Sequence, residues 1–138
     1  MLLAPREPGS YKVLCFHHGT ALRANDYADL LCQIAQEGFI VIAPQLYRPW
    51  ELLLTSVDKE RRLALDAQRW VLDEVGGLAV LPPGVRADYA GGLYVGGHSR
   101  GGGIAWLTAA DRQGAPPVAG GSFQMMRARV GRAQLFAH

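Results

Sequence analysis

The chain reads as an α/β domain with a parallel sheet of about three strands, and two observations carry that reading. The first is a set of short apolar runs rich in β-branched or aromatic residues, "YKVLCF" (11–16), "FIVIAP" (39–44) and "LYVGG" (93–97), without helical periodicity. Such runs suit strands buried on both faces. The second is that an amphipathic helical stretch separates each run from the next, and β-α-β-α-β alternation implies parallel strands joined by right-handed crossovers.

Each helix has recognisable ends. Asn25 or Asp26 can cap the first, whose apolar positions Tyr27, Leu30, Leu31, Ile34 and Ala35 recur at helical spacing until Gly38 stops it. The second begins near Thr55, Ser56 and Asp58, is expected to bury Leu63, Ala67, Trp70 and Val71, and ends at Gly76 and Gly77. A third follows the last strand, from Arg100 to about Ala110. Residues 1–112 are therefore expected to form the domain. Residues 113–138, "QGAPPVAGGSFQMMRARVGRAQLFAH", are rich in Gly, Ala, Pro and Arg, hold no acid, and are expected to be a disordered tail.

Composition excludes several classes of function. The 138 residues are 49% hydrophobic and 19% charged, as in an ordinary globular domain. No apolar run is long enough to span a membrane, and "MLLAPREPGSYK" is too short and polar for a secretory signal. The net charge is +2, and removing Arg112, Arg127, Arg129 and Arg132 leaves −2 for residues 1–111. A tail with arginine but neither lysine nor interleaved aromatics does not suit nucleic acid. Cys15 and Cys32 lie in apolar segments without metal-ligand spacing and are expected to be buried free thiols. No metal or cofactor is called for.

The chemistry concentrates in "GGHSRGGG" (96–103). Gly97, His98, Ser99, Arg100 and Gly101 fit G-x-S-x-G at a strand-to-helix junction, where a strained turn lifts the serine hydroxyl above the sheet. Phosphate-binding loops do not fit. A Walker A loop starting at Gly96 needs lysine where Gly102 stands, and a dinucleotide fingerprint starting at Gly97 needs glycine at Ser99. An acyl-transfer site also needs two amide donors for the oxyanion. The amide of Arg100 follows the nucleophile, and that of Thr20, beside Gly19 in "FHHGTA", follows an earlier strand. His17 and His18 are expected to shape that loop rather than act as the base.

"HGTALRANDYADLLCQIAQEGFIVIAPQLY" and "LPPGVRADYAGGLYVGGHSRGG" together resemble the chlorophyllases over roughly residues 11–110. The resemblance implies a partial α/β-hydrolase fold and hydrolysis of the phytyl ester of chlorophyll to chlorophyllide and phytol. It implies Ser99 as nucleophile, Thr20 and Arg100 as oxyanion-hole amides, a lipophilic ester as partner, no cofactor, and the chloroplast as location. Trp50 and Leu53, with Leu52 and Leu54 in "YRPWELLL", either wall a tetrapyrrole or phytyl chain or form the first buried turn of a helix, and the chain as a whole is expected to meet a membrane at most peripherally.

The family's catalytic Asp and His follow its nucleophile. Here Asp111 is the only acid after Ser99 and His138 the only histidine. Asp111 lies about three turns along the elbow helix and is expected to face away from the site. His138 falls in the tail, Gly103 stands where the resemblance leads to lysine, and the family's opening antiparallel strands are expected to be missing. The expectation is a truncated chlorophyllase-like chain, inactive by itself. The alternatives are another serine carboxylesterase or lipase, and a non-enzymatic remnant.

Overall fold

The structure is a computed structural model that describes residues 1–77 and 80–111; the side chains of Leu52 and Leu53 are outside that description, as is the expected tail. The elements run β1 (Leu2–Leu3), β2 (Gly9–His17), a 3-10 turn (Ala24–Tyr27), α1 (Ala28–Gln36), β3 (Phe39–Ile42), a second 3-10 turn (Pro49–Leu54), α2 (Val57–Glu74), a third (Val75–Gly77), β4 (Val85–Asp88), β5 (Tyr94–Gly97) and α3 (Arg100–Ala110). Three apolar runs and three helices thus lie where expected, but Asn25 and Asp26 do not cap α1: they fall within the first 3-10 turn, and the N-cap is Tyr27, whose side chain caps nothing. Ser56 accepts the Lys59 amide at 3.2 Å as cap of α2, and Gly38 turns the chain after α1 at φ 94°.

The sheet is mixed, not purely parallel. Five strands are present, with β3, β2 and β4 side by side and β1 beyond β3, while β5 also pairs with β2. Strand β2 is parallel to β3, with Val13 opposite Ile40. On its other side its first half pairs with β4, Gly9 opposite Val85, and its second half with β5, Leu14 opposite Tyr94. One line of backbone is therefore interrupted by the turn at residues 89–93, which Gly92 closes by donating to the Tyr89 carbonyl at 2.7 Å.

Strand β1 is antiparallel to β3, Leu2 opposite Ile42. An antiparallel opening strand is thus present, contrary to expectation. Two residues are too few to show an alternating pattern, and the pairing continues one residue further: the Met1 nitrogen donates to the Ala43 carbonyl at 2.9 Å, and the Ala43 amide donates to the Met1 carbonyl at 2.9 Å.

Apolar residues fill both faces. Val13, Cys15, Ile40, Ile42, Val71, Val75, Val85 and Leu93 pack together on one side, and Leu14, Phe16, Ala24, Leu31, Ala35, Val41 and Ala43 on the other. Burial pushes the Cys15 thiol up to about 12. Cys32 is exposed, contrary to expectation, because α1 turns Leu31 and Ala35 to the sheet.

The buried stripe of α2 is offset from the expected one. It comprises Glu60, Ala64, Leu65, Gln68 and Val71, while Trp70 is half exposed. Two polar residues take core positions because partners on other elements receive them.

Candidate active site

Strand β5 runs straight into α3, and Ser99 is the joint. Its backbone sits at φ 51° and ψ −121°, a conformation that costs an L residue about 1–3 kcal/mol and is tolerated only where packing enforces it. The enforcement comes from the neighbouring glycines. A Cβ on Gly97 would lie 2.6 Å from the His17 carbonyl oxygen, and one on Gly101 would run into the carbonyls of both His17 and His18. The His98 amide completes the seam by donating to the His17 carbonyl at 3.1 Å.

Ser99 occupies the N-cap of α3, yet its side chain caps nothing, and the residue is exposed. A capping serine would normally spend its oxygen on a helix amide. Here the hydroxyl is left available, and the Arg100 amide, first in the helix, has no carbonyl four residues back to receive it.

The end of β2 supplies the facing loop. Gly19 is buried and Thr20 exposed. Ala21 adopts φ 58°, so the only non-glycine residues at positive φ among those described are Ala21 and Ser99. Strain is therefore stored on both sides of the site. No sequence signal marked Ala21, since alanine does not favour that conformation. The Gly19 amide donates to the Tyr27 hydroxyl at 2.9 Å, and a Cβ on Gly19 would lie 2.7 Å from His98 Nδ1.

Both loop histidines are committed to structure. His18 Nδ1 meets the Gly19 carbonyl at 3.0 Å, so it carries the proton, and Nε2 accepts from the Leu46 amide at 3.2 Å and faces Gln45 Nε2 at 3.2 Å. His17 is fully buried. Its Nε2 lies 3.0 Å from Gln68 Nε2, which also donates to Thr108 at 2.9 Å.

Burial, with a smaller contribution from His18, pushes the His17 imidazole from 6.5 down to about 4. The unfolded chain thus binds a proton between these values that the folded chain refuses. His17's contribution is intact above about pH 6.5 and is lost as pH falls toward 4, by about 3 kcal/mol. Urea unfolding at pH 7 and pH 4.5 should show a shallower pH dependence in His17→Asn than in the parent. Equal slopes would contradict this assignment.

Behind the elbow, Arg100 Nε donates to the buried carboxylate of Glu60, and its NH2 group donates to the Thr55 carbonyl at 2.7 Å. The Glu60 side chain is 0% exposed and that of Arg100 28%. Tyr47 packs nearby, its hydroxyl pushed up to about 12 by burial and then by the Glu60 charge. The pair ties α3 to α2, and the bond to Thr55 ties α3 to the segment following the turn Pro49–Leu54. Within that turn Trp50 is 67% and Leu54 79% exposed, and Arg48 lies over the Trp50 ring at 5.4 Å. Glu60 escaped the sequence reading because a carboxylate counts as an outward residue. Its spacing with Ala64, Gln68 and Val71 was the available signal.

Asp111 follows α3 and pairs with Arg61 of α2 at 2.5 Å. His138 lies outside the described residues, as does Arg112. Among the described residues no three His, Cys, Asp or Glu side chains gather as a metal site, and no helix is long and apolar enough to cross a membrane.

A strained serine between close-packed glycines, opposite a strained loop, invites comparison with known proteins. The chlorophyllase profile matches residues 1–116. The chain belongs to the chlorophyllase family. Chlorophyllase type 0 of Chenopodium album is 38% identical over 112 residues, covering 79% of this chain and 31% of that protein. Chlorophyllase-1 of Arabidopsis thaliana is 36% identical over 110 residues, covering 78% and 32%. A Citrus unshiu protein named "Chlorophyllase-1, chloroplastic" is 35% identical over 102 residues, covering 74% and 30%. The chain thus spans about a third of the length of these relatives.

Proposed function

We propose that this chain carries the nucleophile and oxyanion-hole part of a chlorophyllase-like serine carboxylic-ester hydrolase of α/β-hydrolase architecture, located in the chloroplast. The observation that carries this reading is Ser99 itself, held at positive φ at the start of α3 with its hydroxyl capping nothing. In the reaction Ser99 Oγ attacks the carbonyl of chlorophyll's propionate ester while a base takes its proton. The amides of Thr20 and Arg100 receive the oxyanion. Phytol leaves with that proton, and water then cleaves the acyl-enzyme to chlorophyllide. The exposed Trp50 and Leu54 would meet the apolar substrate and suit contact with a membrane surface.

None of the histidines beside the loop is free to act as the base. His17 and His18 are buried and bonded elsewhere, and Asp111 is paired with Arg61. We therefore read the described residues as holding no triad acid or base for Ser99, which would be inactive until a base is supplied. The test is ester cleavage with imidazole as the supplied base and Ser99→Ala as control. Ser99-dependent release of chlorophyllide supports the chlorophyllase reading, and cleavage of a short nitrophenyl ester alone moves the chain to the general carboxylesterases.

A further inference from the structure

One hydroxyl joins the two strained halves of the site. Tyr27 Oη accepts from the Gly19 amide at 2.9 Å and lies 2.8 Å from His98 Nδ1. The phenol has a single proton, and the Gly19 amide can only donate, so giving that proton to Nδ1 satisfies all three groups at once. His98 is then neutral with its own proton on Nε2. The ring is held in place by Phe16 at 5.1 Å and faces His98 at 5.6 Å. Gly19 precedes Thr20, and His98 precedes Ser99. The hydroxyl therefore grips the residue before each proposed reacting partner.

We propose that Tyr27 is a positioning residue that holds loop 19–21 against the nucleophile elbow, a role that rests on the ester-hydrolase reading only for its catalytic consequence. Helix capping gives no account of this placement: Tyr27 stands at the N-cap of α1 but its side chain caps nothing there. Packing alone does not account for the hydroxyl either, since a phenyl ring would make the same contacts with Phe16. The absence of a side chain at residue 19 belongs to the same device, because a Cβ there would sit 3.0 Å from Tyr27 Oη.

Tyr27→Phe keeps the ring and deletes the clamp. In the ¹⁵N-labelled parent, the His98 ring should be Nε2-protonated. In the variant that preference should be lost, and the Gly19 amide should exchange at least tenfold faster while the Val13 and Val41 amides keep their rates. A general loss of stability would speed all three amides and would not select a tautomer. An Nδ1-protonated His98 in the parent overturns the proposal even if the variant fails to fold, as do unchanged tautomer and Gly19 exchange in a folded variant. Imidazole-assisted modification of Ser99 by a fluorophosphonate, compared between the two proteins, reads the consequence: a tenfold or larger slowing is expected. No modification of the parent would refute the hydrolase reading while the spectra still decide the clamp.

Discussion

Gly101→Ala should strongly destabilise this protein, whereas Gly103→Ala, two residues along the same helix, should leave it intact and slightly more stable. At Gly101 the added methyl would run into the carbonyls of His17 and His18. Those carbonyls belong to backbone that cannot retreat freely, because His17 is paired with Gly97 in the sheet and receives the His98 amide. Relief requires parting α3 from β2 or breaking β5 away, and the loss should exceed about 4 kcal/mol, a range that overpacking of buried backbone can reach. A cavity or a lost side-chain contact would not explain such a value, since alanine adds atoms and removes none. At Gly103 nothing lies within 4 Å, so alanine gains about 0.5–1 kcal/mol by lowering the entropy lost in forming the helix. Urea unfolding followed by far-UV circular dichroism compares the two. Similar midpoints would mean that the close approach of α3 to β2 is not what fixes the elbow.

Arg100→Met should cost about 3–5 kcal/mol, a large fraction of the roughly 5–15 kcal/mol that domains possess. The effect is asymmetric. Removing Arg100 strands the Glu60 carboxylate, whose side chain is 0% exposed, whereas removing Glu60 strands a guanidinium that is 28% exposed and still bonded to the Thr55 carbonyl. Glu60→Gln should therefore be the milder change, and the double variant should recover much of what Arg100→Met loses. Equilibrium unfolding of the four proteins gives the coupling directly. Additive losses would show that the pair contributes nothing as a pair.

How much of this was legible beforehand differs residue by residue. The runs containing Val13, Ile40 and Val95 announce strands because both faces are apolar, and Ser56 and Gly38 announce helix ends because their chemistry serves few other purposes. The glycines around Ser99 were readable from spacing. Leu2–Leu3 was not, because two residues are too few to carry a strand pattern. Residues 85–88 were hidden by their polarity: Arg86 is exposed and Lys12 pairs with Asp88 at 2.7 Å. Glu60 and Gln68 were misjudged for one physical reason: a polar side chain is assigned to solvent unless its buried partner is known. Those partners, Arg100, His17 and Thr108, lie 40 or more positions away in the sequence. The Tyr27 clamp is of the same kind, joining residues 71 positions apart.

We propose Ser99 as a nucleophile with no base among the described residues around it. Intact-mass detection of a fluorophosphonate adduct tests it, on the folded chain and its Ser99→Ala variant, each with and without imidazole. The account predicts an adduct only in the parent and only with imidazole. An adduct at Ser99 in plain buffer would show that a base is already in place, and no adduct in either buffer from a folded chain would show that the turn at Ser99 is not a nucleophile elbow.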